Sequence, residues 1–133
     1  MPLLQWNQSL TLGHAEIDEQ HRLLVEAINE LHDRIQEGAE HQGLLDAVQG
    51  LAAYADYHFS DEERLMLRHG FPELEDHRLA HMEFRERMDA CSATIHHSDS
   101  HPTAVEMLSF LTRWLARHIQ RDDRAFIDFV NRH

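Results

Sequence analysis

Apolar residues recur at alternating spacings of three and four along four stretches of the chain, and this pattern constrains the fold most. The spaced positions are 21, 24, 28, 31 and 35; then 44, 48, 51, 55, 58, 62 and 65; then 74, 77, 81, 84, 88, 91 and 95; and finally 108, 111, 115 and 118. Such spacing is typical of helices that meet along apolar seams in a left-handed bundle. The prolines, at positions 2, 72 and 102, interrupt none of these stretches.

The sequence therefore predicts one all-α domain over residues 1–133, an antiparallel up-down-up-down four-helix bundle preceded by an irregular arm. Short connections between the helices favour antiparallel neighbours. The predicted elements are an arm over residues 1–17 and helices over about 18–37, 41–68, 73–96 and 103–131. Asp18 is the predicted N-cap of the first helix, and Gly38 is its predicted C-terminal stop.

The charge balance excludes some classes of partner. Aspartate and glutamate outnumber lysine and arginine by 24 to 12, which gives a formal net charge of −12. This charge argues against nucleic-acid binding and against attraction to an anionic membrane surface. A single cysteine fits a reducing compartment. No apolar stretch approaches the roughly 18 residues that span a bilayer, and the first residues lack the basic region of a leader, so we expect a cytoplasmic protein.

Polar residues occupy several positions that the periodicity assigns to the core: His21, His58, Glu62, His77 and His81. Burying an imidazole or a carboxylate without a partner costs several kcal/mol, so each needs a hydrogen bond, an opposite charge or a metal ion. Five such residues on three predicted helices favour a shared site over five unrelated accidents.

The spacing of these residues is suited to a common ligand. His58 and Glu62 are four residues apart, as are His77 and His81, so each pair projects from one face of a helix. The fourth helix adds His118 on its apolar stripe. Each helix therefore directs donor atoms toward the centre of the bundle.

Two aspartates follow His118, and either can complete the set. On an ideal helix Asp122 lies about 40° around the axis from His118, whereas Asp123 lies about 140° away. Plain periodicity therefore favours Asp122. Five imidazoles and at least two carboxylates exceed the four ligands of a structural zinc ion, and such nitrogen and oxygen donors suit iron or manganese. Their number indicates two ions bridged by carboxylates.

Four motifs occur in order on the four predicted helices. They are DEQH at 18–21, HFSDEE at 58–63, HRLAH at 77–81, and WLARHI at 114–119 followed by Asp123. Over essentially its whole length the chain resembles single-domain bacterial hemerythrins in these motifs. The family pattern, a histidine followed five residues later by an aspartate, favours Asp123 and predicts a distorted turn after His118, such as a π-bulge.

The resemblance implies a non-haem centre of two irons joined by an oxo or hydroxo bridge. The implied ligands are His77, His81 and His118 on one iron, His21 and His58 on the other, and Glu62 and Asp123 between them. Two octahedral irons offer about twelve coordination positions. These ligands leave one position open, on the iron of His21 and His58, where dioxygen would bind. The implied lining of this position is apolar: Leu24, Phe59, Trp114, Leu115 and Ile119.

Mostly neutral ligands and a single open position favour reversible dioxygen binding over turnover, so we expect an oxygen carrier, store or local supply protein and not an enzyme. The alternatives are a di-iron enzyme (ferroxidase, peroxidase or nitric-oxide scavenger), an oxygen-sensing module that acts through a partner, and a metal-stabilised interaction module. The sequence indicates no protein recipient. Asp61, Glu63 and Arg64 are predicted to form a solvated helix face.

Overall fold

Helices make up nearly all of the chain that the structure describes. The computed structural model describes residue 6 and residues 8–38, 41–97 and 101–132. Its α-helices are α1 (Ala15–Gln36), α2 (His41–His69), α3 (Leu74–His97), α4 (His101–Arg117) and α5 (Arg124–Arg132). A π-helical segment (His118–Asp123) joins α4 to α5 without a break, so these three form one long helix.

The four long helices form the predicted bundle. Helix α1 packs against α2 and α4, and α3 packs against the same two neighbours. The helices are joined by the short links 37–40, 70–73 and 98–100, so each runs back along the one before it. Within the described residues, no helix is both long enough and apolar enough to cross a membrane.

The predicted seams form the core, with one displacement near the end of α2. Every spaced position is buried except Leu65, which is half-buried, and Met66 is fully buried instead. Helix α2 has 29 residues. A seven-residue repeat drifts by about 20° per heptad on a straight α-helix, so the buried stripe of a helix this long moves to the next residue.

The start of α1 differs from the prediction. The helix begins at Ala15, and His14 is its N-cap, with Nδ1 accepting a hydrogen bond from the Ile17 amide at 3.3 Å. Asp18 lies inside the first turn, and its carboxylate accepts hydrogen bonds from the backbone amides of Leu12 and Gly13. The prediction that Asp18 is the N-cap is therefore wrong, because the helix already begins at Ala15. The Asp18 side chain instead holds the backbone that precedes the helix.

The other helix ends lie close to their predicted positions. Helix α1 ends at Gln36, and Gly38 has a φ of +70°, which confirms it as the stop residue because glycine adopts this left-handed conformation without a steric penalty. Helices α2 and α3 match their predicted bounds within one residue, and α4 begins two residues earlier than predicted.

Candidate metal centre

Seven polar side chains meet in the middle of the otherwise apolar bundle. They are His21 from α1, His58 and Glu62 from α2, His77 and His81 from α3, and His118 and Asp123 from the π-helical segment. None is more than 5% exposed. All seven residues that the sequence predicts as ligands thus lie in one buried cluster.

The cluster divides into two sets of possible ligand atoms that share both carboxylates. One set holds Glu62, Asp123 and a three-histidine group of His77, His81 and His118. The other holds the same carboxylates and a two-histidine group of His21 and His58. Within each set the possible ligand atoms all lie within 4.8 Å of one another, so each set could hold a metal ion.

Glu62 presents one oxygen to each histidine group. Its Oε1 atom lies 2.7 Å from Nε2 of His77 and 3.2 Å from Nε2 of His81. Its Oε2 atom lies 3.5 Å from Nε2 of His58 and 3.7 Å from Nε2 of His21. The carboxylate therefore stands between the two groups.

Asp123 is divided between the groups in the same way. Its Oδ1 atom lies 3.0 Å from Nε2 of His77 and 3.3 Å from Nε2 of His118. Its Oδ2 atom lies 2.8 Å from Nε2 of His21. Two carboxylates thus connect the same two groups of imidazoles.

The π-helical segment lets His118 and Asp123 reach the cluster together. In a π turn the backbone hydrogen bonds span five residues, which brings residue 123 closer to the face of residue 118 than a regular α-helix does. The distorted turn predicted after His118 is present. Asp122, which regular periodicity favours, instead accepts a hydrogen bond from Nδ1 of His118 at 2.8 Å and lies outside the cluster of seven.

Three imidazoles have hydrogen-bond partners on Nδ1, the atom that faces away from the cluster. The pairs are His58 with Gln20 at 2.6 Å, His81 with Glu63 at 2.7 Å, and His118 with Asp122 at 2.8 Å. Such partners fix the ring orientation and tautomer of a histidine that binds metal. Helical periodicity does not predict these partners, since Gln20 and Glu63 each lie one position beside a seam residue and Asp122 is favoured as a ligand instead.

The prediction of a solvated helix face around residue 61 is partly wrong. Glu63 is half-buried against His81, and Asp61 accepts a hydrogen bond from the Gln20 side chain at 2.9 Å. Only Arg64 is exposed, with its guanidinium donating to Asp61 at 3.0 Å. Packing against α1 and α3 turns these two carboxylates toward the site.

A cation fits the donor atoms that face the centre. Six buried atoms have no partner in hydrogen-bonding geometry among the described residues: Nδ1 and Nε2 of His21, Nε2 of His58, Oε2 of Glu62, and both carboxylate oxygens of Asp123. Nε2 of His21 and Oδ2 of Asp123 are only 2.8 Å apart, but they are not aligned for a hydrogen bond. The Nε2 atoms of His81 and His118 face each other at 3.0 Å. A neutral imidazole with its proton on Nδ1 offers a lone pair at Nε2, so a positive ion between these atoms removes the conflict. Imidazole nitrogen with carboxylate oxygen is a donor set for transition metals.

A known family model matches nearly the whole chain. Residues 12–130 match the family model described as the hemerythrin HHE cation binding domain. The chain belongs to the hemerythrin family. Its buried cluster of histidines and carboxylates is the part of this hemerythrin domain that could hold metal.

The similarity to bacterial relatives extends over nearly the whole chain. A bacteriohemerythrin from Pseudomonas aeruginosa is 35% identical over 98% of this chain and 83% of its own length. Another from Stenotrophomonas maltophilia is 32% identical over 100% of this chain and 85% of its own length. A crystal structure of a hemerythrin variant superposes with a TM-score of 0.86 at 20% identity and covers 98% of each chain, which shows the shared fold.

Three histidines of this hemerythrin domain have raised pKa values in the absence of metal. Burial lowers their pKa, but Asp123 and Glu62 outweigh this effect. The pKa is raised to about 9 for His21 and His118 and to about 10 for His77. Protons on these imidazoles therefore balance the buried carboxylates when no metal ion is bound.

The pKa shifts of His58, Glu62 and Asp123 also have their causes within the cluster. Burial lowers the pKa of His58 to about 4, because the attraction of Glu62 does not compensate for desolvation. Burial alone would raise the pKa of Glu62 and Asp123, but the surrounding histidines hold both below their usual range. Both carboxylates are therefore ionised and can bind a cation at neutral pH.

The five residues predicted to line an oxygen pocket are all buried: Leu24, Phe59, Trp114, Leu115 and Ile119. The Phe59 ring stacks on His81 with a centroid distance of 4.0 Å, and Trp114 stacks on His118 at 4.4 Å. Phe59 also contacts His58 at 5.7 Å in a tilted arrangement. Phe59 and Trp114 thus pack most closely against the three-histidine group, and Phe59 also contacts the two-histidine group.

Proposed function

We propose that this member of the hemerythrin family binds dioxygen reversibly at a non-haem di-iron centre. His77, His81 and His118 would hold one iron, His21 and His58 would hold the other, and the carboxylates of Glu62 and Asp123 would serve both irons. The observation that carries the proposal is the division of each carboxylate, which turns one oxygen to each histidine group. A centre with a single ion gives no reason for two carboxylates to be shared in this way.

The unequal number of histidines supports an open position on one iron. The two-histidine group supplies one imidazole fewer than its neighbour, so an iron held there would have room for a diatomic gas. When bound, a pair of ferrous ions would supply the two electrons needed for reversible binding of dioxygen.

The apolar side chains keep the bound gas from further reaction. Leu24, Leu115 and Ile119 are each no more than 2% exposed, and they exclude water from the centre of the bundle. Phe59 and Trp114 fix the imidazoles by stacking. None of the five has an acidic proton for general acid catalysis, so these residues favour release of intact dioxygen over its further reduction.

The proposed role is oxygen carriage, storage or local supply in the cytoplasm, without enzymatic turnover. Mostly neutral imidazole ligands support this role, because anionic ligands stabilise the oxidised iron that oxygen-activating enzymes require. The names of the Pseudomonas and Stenotrophomonas relatives, both bacteriohemerythrins, support the same class of protein.

An optical experiment on the iron-loaded protein tests the proposal. The anaerobically reduced, colourless protein should develop an absorption band when oxygen is admitted and lose it under vacuum, over repeated cycles, with two irons per chain. Irreversible bleaching with turnover of an added substrate would show an enzyme instead. A colourless protein that retains zinc would show an interaction module.

Two histidine variants locate the activity. His58→Ala should lose the oxygen-dependent band, because it removes one of the two imidazoles on the proposed open side. His69→Ala is the matched control, since His69 is an exposed histidine on the same helix and lies outside the cluster. Equal effects of the two substitutions would contradict the proposed site.

A further inference from the structure

The Nδ1 partners of the imidazoles differ between the two histidine groups. In the three-histidine group, His81 donates to the Glu63 carboxylate and His118 donates to the Asp122 carboxylate. The Glu63 carboxylate also lies beside two guanidinium groups, 3.4 Å from Arg78 and 3.8 Å from Arg85. Two anions therefore support this half of the centre.

The two-histidine group has no such support. His58 donates to Oε1 of Gln20, a neutral amide, at 2.6 Å. The other end of that amide donates to Asp61, so on the Nδ1 side of the His58 ring the first negative charge lies one side chain farther away. Nδ1 of His21 is buried and has no hydrogen-bond partner in the parts of the chain that the structure describes.

This difference changes how strongly each imidazole binds a cation. A carboxylate on Nδ1 pulls the ring proton toward itself and raises the basicity of Nε2, whereas an amide does so only weakly. Loss of such an outer partner typically costs about 10–100-fold in metal affinity. The effect adds to the unequal number of histidines and acts in the same direction.

We propose that Gln20, Glu63 and Asp122 are positioning residues that make the two metal positions unequal. The three-histidine position fills first and holds its ion tightly, and the two-histidine position fills second and releases its ion more readily. This proposal rests on the proposed two-metal centre. It assigns a role to three residues outside the ligand set.

A stepwise metal titration of the full-length protein tests the order of filling. Anaerobic addition of Co²⁺ to the metal-free chain should give two successive changes in the visible absorption spectrum, with separate binding constants. His58→Ala should remove the weaker step and keep the stronger one. His81→Ala should do the reverse, which assigns each step to its histidine group.

Relocating one charge tests the role of the outer partners. In the double variant Gln20→Glu with Asp61→Asn, the two side chains exchange roles, so the hydrogen bond and the total charge are kept while the anion moves next to His58. The second binding constant should rise about tenfold, while the first stays constant. A merely structural contact would give no such gain. Asp61→Asn alone is the control and should change neither step appreciably.

Neutralising the opposite side should have the converse effect. In Glu63→Gln the side-chain oxygen can still accept from His81, so the geometry is kept and only the charge is lost. The first binding constant should fall about tenfold, with little change in the second.

The outcomes separate this inference from the proposed function. Uptake of a single Co²⁺ per chain would overturn both. Two ions bound with equal constants, or a stronger step that disappears in His58→Ala, would overturn only the inequality. Unchanged constants in both the charge-relocation variant and Glu63→Gln would overturn the role of the outer partners.

Discussion

At the scale of single residues, protons on the imidazoles balance the negative charges of the buried carboxylates when no metal ion is bound. Asp123 and Glu62 raise the pKa of His21, His77 and His118 against the opposing effect of burial. Metal binding therefore has to displace protons from these imidazoles.

The metal-free protein should lose stability as the pH rises above neutrality. A histidine whose pKa is raised on folding stabilises the folded state fully below its unfolded pKa of about 6.5, and this contribution is lost as the pH passes the folded value. For His21, His77 and His118 the loss falls between about pH 6.5 and 10. The free energy of unfolding by urea, measured without metal at pH 7 and at pH 9.5, should be lower at the higher pH.

The metal-loaded protein is the control for this measurement. Its stability should rise from about pH 5 to pH 7, because protons compete with the metal for the imidazoles at low pH. A metal-free protein that became more stable between pH 7 and pH 9.5 would contradict the assigned protonation of the cluster.

At the scale of elements, the π-helical segment sets the direction of two different faces. It aligns Asp123 with His118, and it also sets the rotation of α5, which buries Phe126 and Ile127. An α-helical turn at this point would rotate everything that follows by about 100° per residue removed. Site and core therefore depend on the same local distortion.

Deleting Arg121, an exposed residue of this segment, should restore a regular helix and disrupt both the metal site and the packing of the core. Phe126 and Ile127 would turn out of the core, and the loss of buried aromatic and aliphatic packing should cost roughly 3 kcal/mol or more. Urea denaturation of the metal-free protein measures this loss, and metal analysis should show fewer than two ions per chain. The substitution Arg121→Ala keeps the segment length and should leave stability and metal content near those of the unmodified protein.

At the scale of the whole molecule, the bundle brings together donors that are far apart in sequence. Each of the four long helices contributes at least one side chain to the cluster, so a bound ion ties all four together. An unfolded chain does not hold these residues together, and metal binding therefore stabilises the folded state.

Metal removal should lower the melting temperature, and adding the metal back should restore it. At a free metal concentration of about 100 times the dissociation constant, the stabilisation is about 2.7 kcal/mol. Calorimetry of the protein with iron, without iron and after reloading measures the change. In Glu62→Gln, which weakens one carboxylate shared by both sets, the difference between loaded and metal-free protein should shrink. A melting temperature that does not depend on metal would mean that the cluster binds no ion in the folded state.

Helical spacing in the sequence is enough to predict the four-helix bundle and six of the seven residues of the cluster. Both depend on spacing along single helices, and a local three-to-four repeat fixes which side chains share a face, as for His58 with Glu62 and His77 with His81. The family resemblance added the choice of Asp123 and the distorted turn, which helical periodicity alone would have missed.

The contacts between helices can be seen only once the helices are packed. Gln20 reaches His58 from α1 to α2, and Glu63 reaches His81 from α2 to α3. These pairs depend on the relative rotation of packed helices, which no single-helix pattern contains. The physical reason is that a side chain one position beside the seam meets either solvent or a neighbouring helix, and only the packing of that neighbour determines which.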